Sequence, residues 1–179
     1  MSQLSMFGAK ARPLDGYSNR GLSLERALER QHEEYRAAGK AIVVRQYDPS
    51  VVVKFPLARI TGRAVVDYMG ILADGRPVAF DAKDCREKRL ALTRVQPHQA
   101  AFLAEVHRQG GLAGLVVRFE QRRAYWVPYT AWAAQSGLGE PPVGFKPTGR
   151  KSISEHDCPL GWMCAGVDWL SPLTAQETI

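Results

Sequence analysis

The 179-residue sequence predicts an α/β fold, one mixed sheet flanked by helices, and three observations carry that expectation. A helical period runs from Asn19 to Gly39. Four runs rich in Val and Ile then follow, separated by Pro and Gly. A second helical stretch precedes two further strand-like runs. This alternation is too sparse for a doubly wound nucleotide-binding fold, and the chain has no GxGxxG or P-loop run.

Residues 1–17 carry Gly8, Pro13 and Gly16 without a sustained period and read as a flexible arm, which leaves 18–179 as one domain. In the first helix Leu24, Ala27, Leu28 and Tyr35 recur at helical spacing; Ser18 or Asn19 stands where a cap belongs, and Gly39 ends it. Strands are expected at Ala41–Tyr47, Val51–Phe55, Ala64–Leu72 and Pro77–Ala82, with Ala73-Asp74-Gly75-Arg76 turning the last pair into a hairpin. Pro97 suits the first turn of a helix running to Gln109, which Gly110-Gly111 terminates. Leu112–Phe119 and Ala124–Pro128 read as strands and Thr130–Gln135 as a short helix; after Gly137, Gly and Pro predict mostly loop. Trp126, Trp132, Trp162 and Trp169 are expected in the core rather than as base-stacking platforms.

Hydrophobic residues make up 45% and charged residues 23%, which excludes both a disordered and a membrane-embedded chain on composition. The longest apolar stretches, such as Gly111 to Val117, fall well short of a span. The N-terminus lacks the charged start and apolar run of a signal peptide, so a cytoplasmic protein with no membrane association is expected. Cys85, Cys158 and Cys164 contain no CxxC pair, which points to ordinary thiols in a reducing compartment. The spacing of His156, Cys158 and Cys164 matches no common zinc site. Lys and Arg total 24 against 18 acids, a net +6, and 17 of the bases are Arg, whose planar fork suits phosphate oxygens; a polyanionic partner is favoured.

Chemistry concentrates in Val65-Val66-Asp67-Tyr68-Met69-Gly70 and Pro77-Val78-Ala79-Phe80-Asp81-Ala82-Lys83. Asp81 and Lys83 are two apart on an extended strand and share a face, and a tight hairpin brings Asp67 beside them. Two carboxylates that close repel unless a positive charge neutralises them, which a hard divalent cation such as Mg2+ does best. Such a cation acidifies bound water and stabilises charge on a phosphodiester, while Lys83 would position or deprotonate that water. The residues alone leave a second reading open, a structural salt bridge from Asp67 to Lys83. An acid-x-Lys triplet is a chance-level signal; the apolar run Val78-Ala79-Phe80 before it is what makes the charges notable.

The combination Asp67-Tyr68-x-Gly70 with Phe80-Asp81-Ala82-Lys83 resembles the nuclease motif of an acid, a spacer, a second acid, any residue and Lys. Asn19-Arg20-Gly21-x-Ser23-x-Glu25, His98-Gln99 and Gly149-Arg150-Lys151-Ser152-Ile153 resemble, in the same order, motifs of the RecU family of Holliday-junction resolvases. The resemblance spans 19 to about 170. It implies a restriction-endonuclease-like core and a Mg-dependent endodeoxyribonuclease, with Mn2+ as a possible substitute. Asp67, Asp81 and Glu25 would bind metal, Lys83 would handle the attacking water, Gln99 would stand at the site's edge, and Arg20, Arg150 and Lys151 would hold phosphates. Paired nicks on a two-fold-symmetric four-way junction further imply a C2 homodimer acting on branched DNA.

Two departures from the family stand out. It usually has Glu where this chain has Asp81, which shortens the reach of that carboxylate by one methylene. The segment Asp48–Arg63 is also shorter than the family's protruding stalk; Lys54, Arg59 and Arg63 within it suggest a reduced basic finger over about 48–63. Blander readings compete: Glu25 lies on a helix with Glu29, Glu33 and Glu34, His98-Gln99 are ordinary first-turn residues, and Arg150-Lys151 are a solvated pair. The rival functions are another restriction-like or flap nuclease and a noncatalytic DNA-binding protein.

Overall fold

The computed structural model describes residues 18–48, 50–54, 57–60 and 62–174, with the backbone alone at 18–22, 50–54, 57–60 and 174. The expected arm, residues 1–17, lies outside them. Helix α1 (Ser18–Ala37) ends where Gly39 takes a φ of +65°, a left-handed conformation glycine adopts without a Cβ clash. Strand β1 (Ala41–Arg45) follows, then a separate antiparallel hairpin of β2 (Ser50–Lys54) and β3 (Leu57–Ile60). Strands β4 (Tyr68–Leu72) and β5 (Pro77–Asp84) form the second hairpin. The short β6 (Arg89–Ala91) leads to α2 (Pro97–Arg108), then to β7 (Leu112–Phe119), β8 (Arg123–Pro128) and α3 (Tyr129–Gln135). Strand β9 (Ser152–Ser154) and the short α4 (Ser171–Thr174) complete the described chain.

The main sheet has the order β1-β4-β5-β7-β8 and is mixed, since β5 and β7 are parallel and the other neighbours antiparallel. Parallel neighbours need a long crossover, and α2 supplies it. The expected mixed sheet with flanking helices is therefore what the chain forms. Alternating residues of β5 divide the core into two layers. Val78 and Phe80 pack with Leu24, Leu28 and Tyr35 of α1, whereas Ala79 packs with Leu103 of α2, Leu115, Val127 and Trp132. Asp81 and Lys83 share the parity of Ala79 and so belong to the α2 side.

All four tryptophans are buried, as expected of core residues. Trp169 inserts beneath α1, its ring centroid 5.0 Å from Phe80, 5.4 Å from Tyr35 and 5.5 Å from Trp126. Its indole N–H donates to Nε2 of His32 at 3.1 Å, and burial pushes His32 down to about 4, which keeps that nitrogen an acceptor.

Several expected elements differ in extent. The strand expected from Ala64 begins at Tyr68, because the β1–β4 ladder starts at the Arg45–Tyr68 pair and 64–67 approach it as irregular chain. The strand expected to stop at Ala82 continues to Asp84, drawn on by β7 through the Lys83–Val117 and Asp84–Arg118 pairs. The segment after Gly137, expected to be mostly loop, contributes β9, which pairs with β6 and buries Ile153, and it also buries Phe145 and Trp162. β6 and β9 have three residues each, too few to show a period.

Gly70 sits where β4 crosses β1, and a Cβ built there would overlap the carbonyl oxygen of Ile42. That obstacle is backbone and cannot rotate away. Gly70→Ala should therefore cost about 3 kcal/mol or more, read as a lower denaturation midpoint with an unchanged m-value.

Candidate active site

The site forms where the β4–β5 ladder runs out. Its last pair is Tyr68 with Phe80, so the backbone N–H of Ala82 has no strand partner on that side. Asp67, one residue before β4, supplies the acceptor: its Oδ2 takes the Ala82 N–H at 2.8 Å. The carboxyl is thereby placed beside Asp81 although it precedes the strand rather than lying on it, which corrects the expectation of two acids on successive strands.

Asp81 is fully buried, and its Oδ1 accepts a hydrogen bond from Nε2 of Gln99 at 2.8 Å. Gln99 serves two structures at once. Its Oε1 accepts the Gln96 N–H at 2.9 Å in the capping box that opens α2, so the helix start and the carboxylate orientation are fixed together. The Lys83 ammonium forms an ion pair with Oδ2 of Asp81, an oxygen that otherwise has no hydrogen bond. Lysine thus pairs with Asp81 along its own strand; the alternative bridge from Asp67 to Lys83 is not formed.

Burial, and then the adjacent Asp81 charge, push the Asp67 carboxyl up to about 7. Two hard oxygen donors side by side, one fully buried and one half-buried, have the composition a divalent cation needs, and a cation would remove the repulsion that raises Asp67. Among the described residues no group of three or more His, Cys, Asp and Glu converges on a common point, so the pair stands without a third such ligand.

Glu25 is not brought to the pair. It lies on α1, across the sheet from Asp81, where its Oε2 takes Nη2 of Arg45 at 2.6 Å; Glu29 takes Nη1 of the same guanidinium at 3.0 Å. Among the phosphate candidates, Arg63, Arg150 and Lys151 are exposed. The side chains of Arg20, Lys54 and Arg59 lie outside the described residues, although the β2–β3 hairpin that carries the last two is formed. His98 is exposed in the first turn of α2.

Sequence reading missed two positioning groups. Buried Gln135 donates to Oγ1 of Thr148 and to the carbonyl of Arg150, each at 2.8 Å, and accepts the Thr148 N–H at 3.0 Å, which fixes the loop that presents Arg150 and Lys151. On β7, Arg118 grips Asp84 with two bonds of 3.0 and 2.6 Å and also reaches Oγ of Ser23 at 2.8 Å, tying the end of β5 to α1. An arginine in the otherwise apolar Leu112–Phe119 strand was the available signal, since a charge there needs a partner.

The family model described as recombination protein U, RecU, matches residues 19–140. A Holliday junction resolvase RecU of Staphylococcus carnosus is 29% identical over 126 residues, 63% of this chain and 60% of that protein. One from Geobacillus kaustophilus is 25% identical over 185 residues, 91% of this chain and 87% of that protein. The matched stretches span only 60% and 59% of the Staphylococcus carnosus and Shouchella clausii relatives. Among solved structures, Archaeoglobus fulgidus Hjc, a Holliday junction resolvase, aligns with a TM-score of 0.45 and 17% identity, covering 78% of this chain and 88% of that one.

Proposed function

Because this chain belongs to the RecU family, we propose that it is a structure-selective DNA endonuclease that resolves four-way junctions by paired, symmetric phosphodiester hydrolysis. The observation that carries the reading is buried Asp81 with half-buried Asp67 beside it and Lys83 paired to it. A restriction-endonuclease-like core and a C2 homodimer belong to the same reading, since two opposed nicks need two sites in fixed relation.

Asp67 and Asp81 would hold the divalent cation, Mg2+ with Mn2+ as substitute. When bound, it supplies an acidified water and neutralises charge on the phosphodiester. The remaining work falls to the chain itself. Gln99 keeps Asp81 from rotating, with its second oxygen aimed at Lys83. Lys83 stands where an ammonium can orient the attacking water and offset the phosphate charge. Asp67 must be ionised to act as a ligand, and its raised value makes the site favour neutral to alkaline pH. Glu25, held by Arg45, has a structural place in this arrangement.

The test is cleavage of a four-way junction and a linear duplex, side by side, in chelated protein titrated with Mg2+ or Mn2+. Metal-dependent nicking of opposed junction strands supports the reading. Binding without cleavage at any metal concentration makes the protein a noncatalytic binder, and equal cleavage of duplex makes it another nuclease on the same core.

Arg20, Arg150 and Lys151, with the finger residues Lys54, Arg59 and Arg63, would contact phosphate in this reading. Junction binding should then weaken linearly in a log-log salt plot, by about 0.9 per neutralised phosphate. Arg150→Ala should make the slope shallower by roughly that amount. An unchanged slope in folded protein removes Arg150 from the interface.

A further inference from the structure

We infer that the turn joining β7 to β8 and the segment following β5 form a second phosphate-binding edge, with Lys88 and Arg122 as its principal cations, which grips the DNA strand beyond the cleavage site. The inference rests on the nuclease reading above and assigns residues which that reading does not use.

Glu120 and Gln121 occupy the two central positions of the β7–β8 turn with φ of +48° and +57°, closed by the Arg122 N–H to Phe119 carbonyl bond at 2.9 Å. Such turns strongly favour Asn-Gly, because other side chains are strained at positive φ. Here the strain is held by a bond out of the turn: the Gln121 N–H donates to the carbonyl of Cys85 at 3.2 Å. A second tie joins the same two pieces of chain. The Glu155 N–H donates to the carbonyl of Lys88 at 3.1 Å, while Oε1 of Glu155 lies 3.7 Å from Arg123 and accepts the Tyr125 hydroxyl at 3.0 Å.

The two ties set Cys85-Arg86-Glu87-Lys88-Arg89 beside Glu120-Gln121-Arg122-Arg123. Five bases face two acids of these segments and Glu155, and Glu155 is engaged by Arg123 and Tyr125. Arg89 bonds Oγ of Ser152 at 3.2 Å. Lys88 and Arg122 are exposed, and among the described residues neither is paired with a carboxylate. The edge continues β5 directly past Lys83, so Lys88 is at most about 17 Å of extended chain from it, two or three nucleotides along a DNA strand. A group of exposed cations on two segments tied together by backbone bonds, a few residues beyond the end of β5, suits backbone phosphates and carries no base readout.

The experiment compares wild type, K88A/R122A and the charge-preserving K88R/R122K in junction binding across a salt series and in cleavage at saturating junction. K88A/R122A should bind roughly tenfold more weakly at low salt, with a log-log slope shallower by about 1.8, while cleavage at saturation and the melting temperature stay at wild-type values. K88R/R122K should restore the slope. A wild-type slope in K88A/R122A overturns the inference while leaving the nuclease reading intact. A wild type that neither binds nor cuts junctions overturns the nuclease reading and this edge with it. If K88A/R122A melts early, the single variant R122Q, at an exposed turn position, decides by the same slope.

Discussion

Asp81→Ala should reduce junction cleavage by on the order of a thousandfold or more, about 4 kcal/mol of transition-state stabilisation, while junction binding stays near wild type. Asp81 is buried, accepts from Gln99 and faces Lys83, so its removal deprives a cation of one of two carboxylates and leaves the lysine without its partner. Lys83→Ala should cause a comparable loss, because no other lysine or arginine pairs with Asp81 among the described residues. Asp81→Glu is the informative companion. It reaches one methylene further into the same pair and should keep measurable cleavage with a changed ratio of Mg2+ to Mn2+ activity. Substantial cleavage by Asp81→Ala, in single-turnover assays with folded protein, would remove the pair from the chemistry.

Asp67 should make the stability of the protein depend on pH in a direction opposite to most carboxylates. Its folded value is raised from 3.8 to about 7, so between those values the folded chain holds a proton that the unfolded chain has released. Stability from this group is fully present below 3.8 and is lost as pH rises from there through 7, because burial and the neighbouring Asp81 charge disfavour ionised Asp67. In the proposed reading a divalent cation would reverse the loss by binding the ionised pair. Added Mg2+ or Mn2+ should therefore raise the melting temperature by a few degrees at pH 8 and by much less at pH 6. Asp67→Asn, which removes the titrating group, should melt higher than wild type at pH 8 without metal and respond little to it. A metal-induced shift of equal size at both pH values would sink the coupling.

The candidate site was legible in the sequence because Asp81 and Lys83 sit on a strand whose hairpin partner begins one residue after Asp67. Asp81 and Lys83 share a face by strand parity, Gly75 marks the turn, and the hairpin then brings the chain just before β4, with Asp67, close to them. Which acid Lys83 would choose was not legible, since Asp67 stands off the strand end, where its bond to the Ala82 N–H, rather than strand pairing, sets its position. Gln99 was placed at the site's edge by resemblance, but its double role in the capping box and on Asp81 needs the helix start in place. The Arg45 grip on Glu25 joins α1 to the edge strand, a pairing no local pattern encodes. Likewise β6 and β9 meet across more than sixty residues, with neither long enough to announce itself.

Trp169 has a consequence for the order in which the molecule assembles. It fills the layer beneath α1, where its indole bonds a histidine 137 positions earlier, while Tyr35 bonds Asp168 from 133 positions away. A chain growing from its N-terminus can form α1 and its hairpins early, yet the cavity among Tyr35, Phe80 and Trp126 stays open until residue 169 is free to enter. Closing so long a loop is slow and late in folding. Asp81 on β5 is thus set on a finished sheet only after nearly the whole described chain has been made, and a slow last phase in refolding followed by tryptophan fluorescence should be lost in Trp169→Phe.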